Sequence, residues 1–142
     1  VTVGLHARQD YLDRRGTPRL LEDLNAHDLI GYDVETPAIR AFAKNYPSLE
    51  RSAFALRVDS DVAQFAAIRE GFGIGFCQAI LAAKAPELVR VLPEAFQLDL
   101  QTWIVMHEDL RDSPRCRVVF DALHTGLSGI VGKHGPGSGL NP

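Results

Sequence analysis

Val58–Gln78, VDSDVAQFAAIREGFGIGFCQ, is the stretch whose reading decides the fold. It reads as a strand end, a capped helix, a glycine turn and a second strand. Ser60 and Asp61 are candidate N-caps, since their side-chain oxygens can take backbone donors left free at a helix start. Val62, Phe65 and Ala66, with Ala63, Ala67 and Ile68 along the adjoining edge, recur at helical spacing, which predicts one stripe facing a core. Gly71 stands where a left-handed residue closes a helix, and Ile74, Phe76 and Cys77 resume as a short buried strand.

The flanking sequence repeats this alternation. Upstream, Val1, Val3 and Leu5 alternate with Thr2, Gly4 and His6 as in a half-buried strand. A helix carrying Tyr11 and Leu12 follows and stops at Gly16 and Pro18, and Leu20, Leu21 and Leu24 make a short helical turn. Asp28–Tyr32 reads as a strand. Thr36 caps a helix whose first-turn residue is Pro37 and which runs to Pro47, and Ala53–Val58 is the next strand. Downstream come a helical piece over Ala79–Lys84, a strand over Leu88–Leu92 and a longer one over Leu98–His107, centred on the apolar run Trp103–Met106. Ser113 and Pro114 repeat the cap-plus-proline signature before a helix with Cys116, Val119, Phe120, Leu123 and Leu127 on one face. Glycine and proline crowd the end of the chain, so residues 131–142 are expected to form a flexible tail. The alternation predicts an α/β fold with a largely parallel sheet and ligand binding beyond the carboxyl ends of its strands, the Val58–Asp61 junction among them.

Length and composition set bounds. The 142 residues, 46% hydrophobic and 23% charged, suffice for one ordinary globular core. No apolar run approaches the roughly 20 residues that cross a bilayer, so no membrane partner is expected. The start VTVGLHA lacks the features of a signal peptide. With 15 Lys and Arg against 18 Asp and Glu, the formal charge of −3 argues against nucleic-acid binding by this segment. Two cysteines, Cys77 and Cys116, make no disulfide framework and read as reduced thiols of a cytoplasmic protein. Val1 falls inside a strand pattern and Met106 is the only methionine, so the chain is expected to be a fragment that lacks N-terminal material.

Most constellations that could carry chemistry dissolve on inspection. Gly71, Gly73 and Gly75 close a helix and open a strand, the reverse of a dinucleotide loop, so close helix-to-strand packing is expected there. The histidines His6, His27, His107, His124 and His134 show no metal spacing, no cysteine has a CxxC partner, and no G-x-S-x-G elbow occurs. Cys77, between Phe76 and Ile80, reads as packing. Glu22 with Asp23, Glu108 with Asp109, and the arginines 111, 115 and 117 read as solvated surface. No metal, cofactor or catalytic residue is therefore expected. Asp59-Ser60-Asp61 survives: a helix start facing a cleft can hold a polar ligand group. Its two carboxylates favour a cationic, zwitterionic or polyhydroxy ligand over an anion.

Three segments together resemble the effector-binding domain of LysR-type transcriptional regulators. YLDRRGTPRLLEDLNAHDLIGY (Tyr11–Tyr32) is similar to the family's YLxRxGxP run and its EDLxxH stretch; Val58–Gln78 is similar to its V-x-S-x-x-A…G-x-G-I segment. WIVMHEDLRDSPRCRVVFDAL (Trp103–Leu123) looks like its closing strand and helix. The resemblance implies a periplasmic-binding-protein-like fold of type 2, with Rossmann-like subdomains and a small-molecule cleft between two of them. It implies that residues 7–97 are the second subdomain, residues 1–6 the crossover strand from the first, and residues 98–130 the return to it. It also implies an effector-sensing role without catalysis, a homo-oligomer, and DNA contacts through an N-terminal domain outside this chain. Ser60 matches the family's cap serine beside the cleft, Gln78 lies where the post-strand loop approaches it, and Asp59, Asp61 and His6 complete the expected effector-binding set. The chain departs from the family where Cys77-Gln78 replaces a Leu-Pro and Arg8-Gln9 a Ser-Pro. Solute capture for a transporter and a small-molecule enzyme are the alternatives.

Overall fold

The computed structural model describes residues 1–131, which divide into two units: Thr2–Asp99, and Val1 with the residues from Leu100 on. In Thr2–Asp99 the strands β1 (Thr2–Arg8), β2 (Leu29–Gly31), β3 (Phe54–Arg57), β4 (Ile74–Gln78), β5 (Leu88–Val91) and β6 (Leu98–Asp99) form one sheet. Its order is β3-β2-β4-β1-β5, with β6 also on β1. β2 is parallel to β3 and β4, whereas β1 is antiparallel to β4, β5 and β6. Five strands thus run one way and β1 alone runs against them. β1 is the strand on which β4, β5 and β6 all pair, so its whole length lies within this sheet.

Both faces of the sheet are covered. On one, Leu5 and Ala7 of β1, with Leu29, Ile74 and Val91, pack against Tyr11 and Leu12 of helix α1 (Gln9–Arg15) and against Leu24 and Leu49 of two 3₁₀ turns. Helix α2 (Pro37–Asn45), capped by the Thr36 hydroxyl, lays Phe42 edge-on against Phe76 and Phe96. On the other, Ile30 and Cys77 meet Ile68 of α3 (Asp61–Arg69) and Ala82 of α4 (Ala79–Ala82).

α3 begins and ends where its caps direct, but the buried stripe differs from the one expected. Gln64 and Ile68 are buried with Phe65 and Ala67 at their edge, while Val62 is 79% exposed. A glutamine takes the core position because its amide finds a partner there, Gln64 Nε2 donating to Val58 O at 2.7 Å. The glycine turn behaves as a packing device. Gly71 has φ +72°, and a Cβ on Gly75 would lie 2.9 Å from the Ile68 terminal methyl, so its bareness lets α3 sit close on the sheet.

In the second unit the strand expected over Leu98–His107 reduces to the two residues of β6, which belong to the sheet; residues 100–107 have no regular structure. Trp103 and Val105 are 78% and 86% exposed. An apolar run becomes a strand only where a ladder receives it; Leu100 exchanges backbone hydrogen bonds with Val1, and beyond it no ladder forms over residues 101–107. A 3₁₀ turn at Glu108–Leu110 leads to α5 (Pro114–Val131), on which Cys116, Phe120 and Leu127 are half-buried while Val119 and Leu123 are exposed. From residue 132 on, the expected tail lies outside the described residues.

Candidate functional site

Because β2 and β3 are parallel neighbours, their carboxyl ends emerge side by side, and the Val58 N–H donates to Gly31 O at 2.9 Å. The two following loops are then tied by side chains. Asp59 Oδ1 accepts the backbone N–H groups of Asp33 (2.9 Å) and Val34 (3.0 Å). Ser60 Oγ accepts the Ala63 N–H at 3.4 Å, which caps α3. The Tyr32 hydroxyl donates to Asp61 Oδ1 at 3.0 Å, and burial, reinforced by Asp61, pushes its pKa up to about 12, so it stays a neutral donor. Arg51 clamps the loop after β2 through Asp33, its Nε donating to the carbonyl oxygen at 2.6 Å and its Nη2 to Oδ1 at 2.5 Å. Beneath the junction, the buried Gln64 amide holds Val58 O.

β4 is the other neighbour of β2, so Gln78 at its carboxyl end opens on the same edge of the sheet. It precedes α4 without a side-chain cap bond and is exposed. His6 lies elsewhere. It pairs with Gly75, three positions before Gln78, is only 3% exposed, and its Nδ1 sits 3.1 Å from Gly4 O. The structure therefore brings Asp59, Ser60, Asp61 and Gln78 to one edge and seals His6 inside the sheet.

Three residues of this edge escaped the sequence reading: Tyr32, Asp33 and Arg51. The signal was present in the rule that ligands gather beyond all carboxyl ends of a parallel sheet, which applies to β2 as much as to β3. Asp23, read as solvated surface, is exposed, and its Oδ2 also accepts the N–H groups of Arg19 and Leu20, which hold its pKa below the usual carboxylate range.

Chemically the edge offers a hydroxyl, carboxylates already bonded to the backbone or to Tyr32, an amide and the N-terminal end of α3. These are groups that hold a polar ligand. Burial pushes the Cys77 thiol up to about 11, which leaves it protonated and unsuited to nucleophilic attack. Among the described residues no three His, Cys, Asp or Glu side chains gather as metal ligands, and no helix is long and apolar enough to cross a membrane.

The family described as LysR substrate binding domain matches residues 2–128. The chain belongs to that family. Its fold is also that of the CrgA regulatory domain, a LysR-type transcriptional regulator from Neisseria meningitidis, at TM-score 0.66 and 21% identity over 89% of this chain and 66% of that one. The regulatory domain of AphB in Vibrio vulnificus is similar at TM-score 0.50 and 20% identity, over 68% of this chain and 52% of that one. The chain therefore spans 66% of the one regulatory domain and 52% of the other. No curated protein matches the chain. The fold is the periplasmic-binding-protein-like α/β fold expected from the sequence resemblance.

Proposed function

We propose that this LysR substrate-binding chain is the effector-sensing part of a cytoplasmic, DNA-binding transcription regulator and has no catalytic role of its own. Membership of the family over residues 2–128 carries the reading. A small molecule binds at the carboxyl edge of the sheet, against Ser60, Asp59, Asp61 and Gln78, with Tyr32 as a further donor. The effector acts by its differential affinity for two arrangements of the regulator, whose N-terminal domain contacts DNA within a homo-oligomer. Residues 1–6 act as the crossover strand from the first subdomain, 7–97 as the second subdomain and 98–130 as the return to the first.

The test is a thermal-shift screen of the purified chain against amino acids, polyamines, sugars and organic acids, followed by calorimetry on any hit. At least one compound is expected to raise the melting temperature, and Ser60→Ala to weaken its affinity. An effector that binds the variant as tightly as the parent would remove Ser60 from the site. The chain alone is expected to leave DNA unshifted in a gel, and a sequence-specific shift would overturn the separation of sensing from DNA contact.

A further inference from the structure

β1 carries one titratable side chain into the sealed interior of the sheet. His6 and Arg90 are partners across the β1–β5 ladder, and Gly4, two residues back on the same face, leaves the recess they share. A Cβ on Gly4 would lie 3.2 Å from His6 Cε1 and 3.0 Å from Arg90 Nε. Arg90 Nε is buried with no acceptor. Arg90 Nη2 donates to Gln97 Oε1 at 3.0 Å, and Gln97 Nε2 in turn donates to Asp99 Oδ2 at 3.0 Å.

The other elements around His6 supply no acid in contact with it among the described residues. On β4, opposite Gly4, stands the Cys77 thiol, held neutral by burial. Further along the same face of β1, Arg8 is engaged by Asp10 at 3.2 Å and by Arg69 O. α3 and α4 pack on this face through Ile68 and Ala82. The charged ends of α3 are occupied, Asp61 by Tyr32 and Arg69 by Glu87, and α4 has no titratable residue.

We propose that His6 and Arg90 form an acid-sensitive lock on the pairing of β1 with β5. Neutral His6 fills the recess over Gly4; protonation sets a second cation beside Arg90, whose Nε has no acceptor among the described residues, and the two strands loosen. Burial foremost holds the His6 pKa below its ordinary 6.5; the bond to Gly4 O opposes this, and Arg90 adds to it. The folded chain therefore takes this proton less readily than the unfolded chain. Stability from His6 is complete above about pH 6.5 and is lost as pH falls through that value toward the folded midpoint. Arg90, Gln97 and Asp99 continue to the Thr2 hydroxyl, which donates to Asp99 Oδ1 at 2.6 Å, so loosening at His6 reaches β6 as well.

The experiment is an NMR titration of the His6 imidazole in the intact chain, with amide exchange followed from pH 7.5 to 5. The His6 midpoint is expected below 6.5, with protection at Ala7 and Val89 falling with acid relative to β2 and β3. Each pH unit by which the midpoint is displaced corresponds to about a tenfold loss of protection at the acid limit. Arg90→Met should raise the midpoint and reduce the loss, and His6→Gln should abolish the loss. His27, whose pKa burial also lowers, is the control: His27→Gln should leave the loss at β1 and β5 intact. A His6 midpoint at or above 6.5, or an acid-driven loss at these amides that persists in His6→Gln, overturns the proposal. Should His6→Gln fail to fold, the midpoint in the parent and in Arg90→Met still decides it.

Discussion

Single residues at the carboxyl edge differ in how much structure rests on them. Ser60 makes one long cap bond at an exposed helix start, so Ser60→Ala is expected to cost about 1 kcal/mol. Asp59 satisfies two N–H groups of another loop, and Asp59→Ala strands both, which predicts a loss of roughly 1–3 kcal/mol. Urea denaturation of the two variants should therefore rank Asp59→Ala as the more costly, and the reverse ranking would mean that the Asp33–Val34 loop finds other acceptors. The cysteines separate in the same way. Cys77 is buried, with its thiol pushed up to about 11, whereas Cys116 is half-buried on α5, so an alkylating reagent at pH 8 should label Cys116 first. Ser60 was legible in the sequence because a cap bonds within its own first turn. The role of Asp59 was not, because its partners Asp33 and Val34 meet it only through the parallel pairing of β2 and β3.

Elements were legible where local chemistry punctuates them, and less so where tertiary partners choose a face. Thr36-Pro37, Ser60 and Gly71 start or stop helices by backbone chemistry alone, and the structure has helix ends at each. α3 shows the limit. Its apolar residues wrap far enough round that two faces compete, and the winner is the one on which Gln64 reaches Val58 O and Ile68 fills the space above Gly75. Ile68→Ala should thus cost about 2–5 kcal/mol, while Val62→Ser should stay within about 0.5 kcal/mol, as measured by denaturant midpoints. Equal effects would restore the Val62 stripe as the core face. Gly75→Ala tests the same packing from below. Its methyl group would press on Ile68 and Ile30, and a loss of roughly 1–3 kcal/mol is expected.

At the scale of the whole molecule, parallel pairing was readable where helices join successive strands, and β2, β3 and β4 pair in parallel, whereas every pairing of β1 is antiparallel. The exceptional direction of β1 follows from pairings with residues about 70 or more positions away, which no local pattern announces. The segment after β6 failed for a related reason. Trp103–Met106 has the composition of a buried strand, but burial and a ladder come from outside the segment; among the described residues no ladder is supplied, and Ile104 and Met106 are only half-buried. Such a stretch, exposed and without regular backbone bonding, is where a protease gains entry, whereas Thr2–Asp99 holds its backbone in a sheet covered on both faces. Brief trypsin treatment is therefore expected to cut first at Arg111, the tryptic site between this stretch and α5, and to leave a fragment containing Thr2–Asp99 intact, as read by mass spectrometry. Earlier cleavage at Arg40, Lys44 or Arg57 would show that the sheet-bearing unit opens before the segment behind it, and that its two covered faces do not protect it as their packing implies.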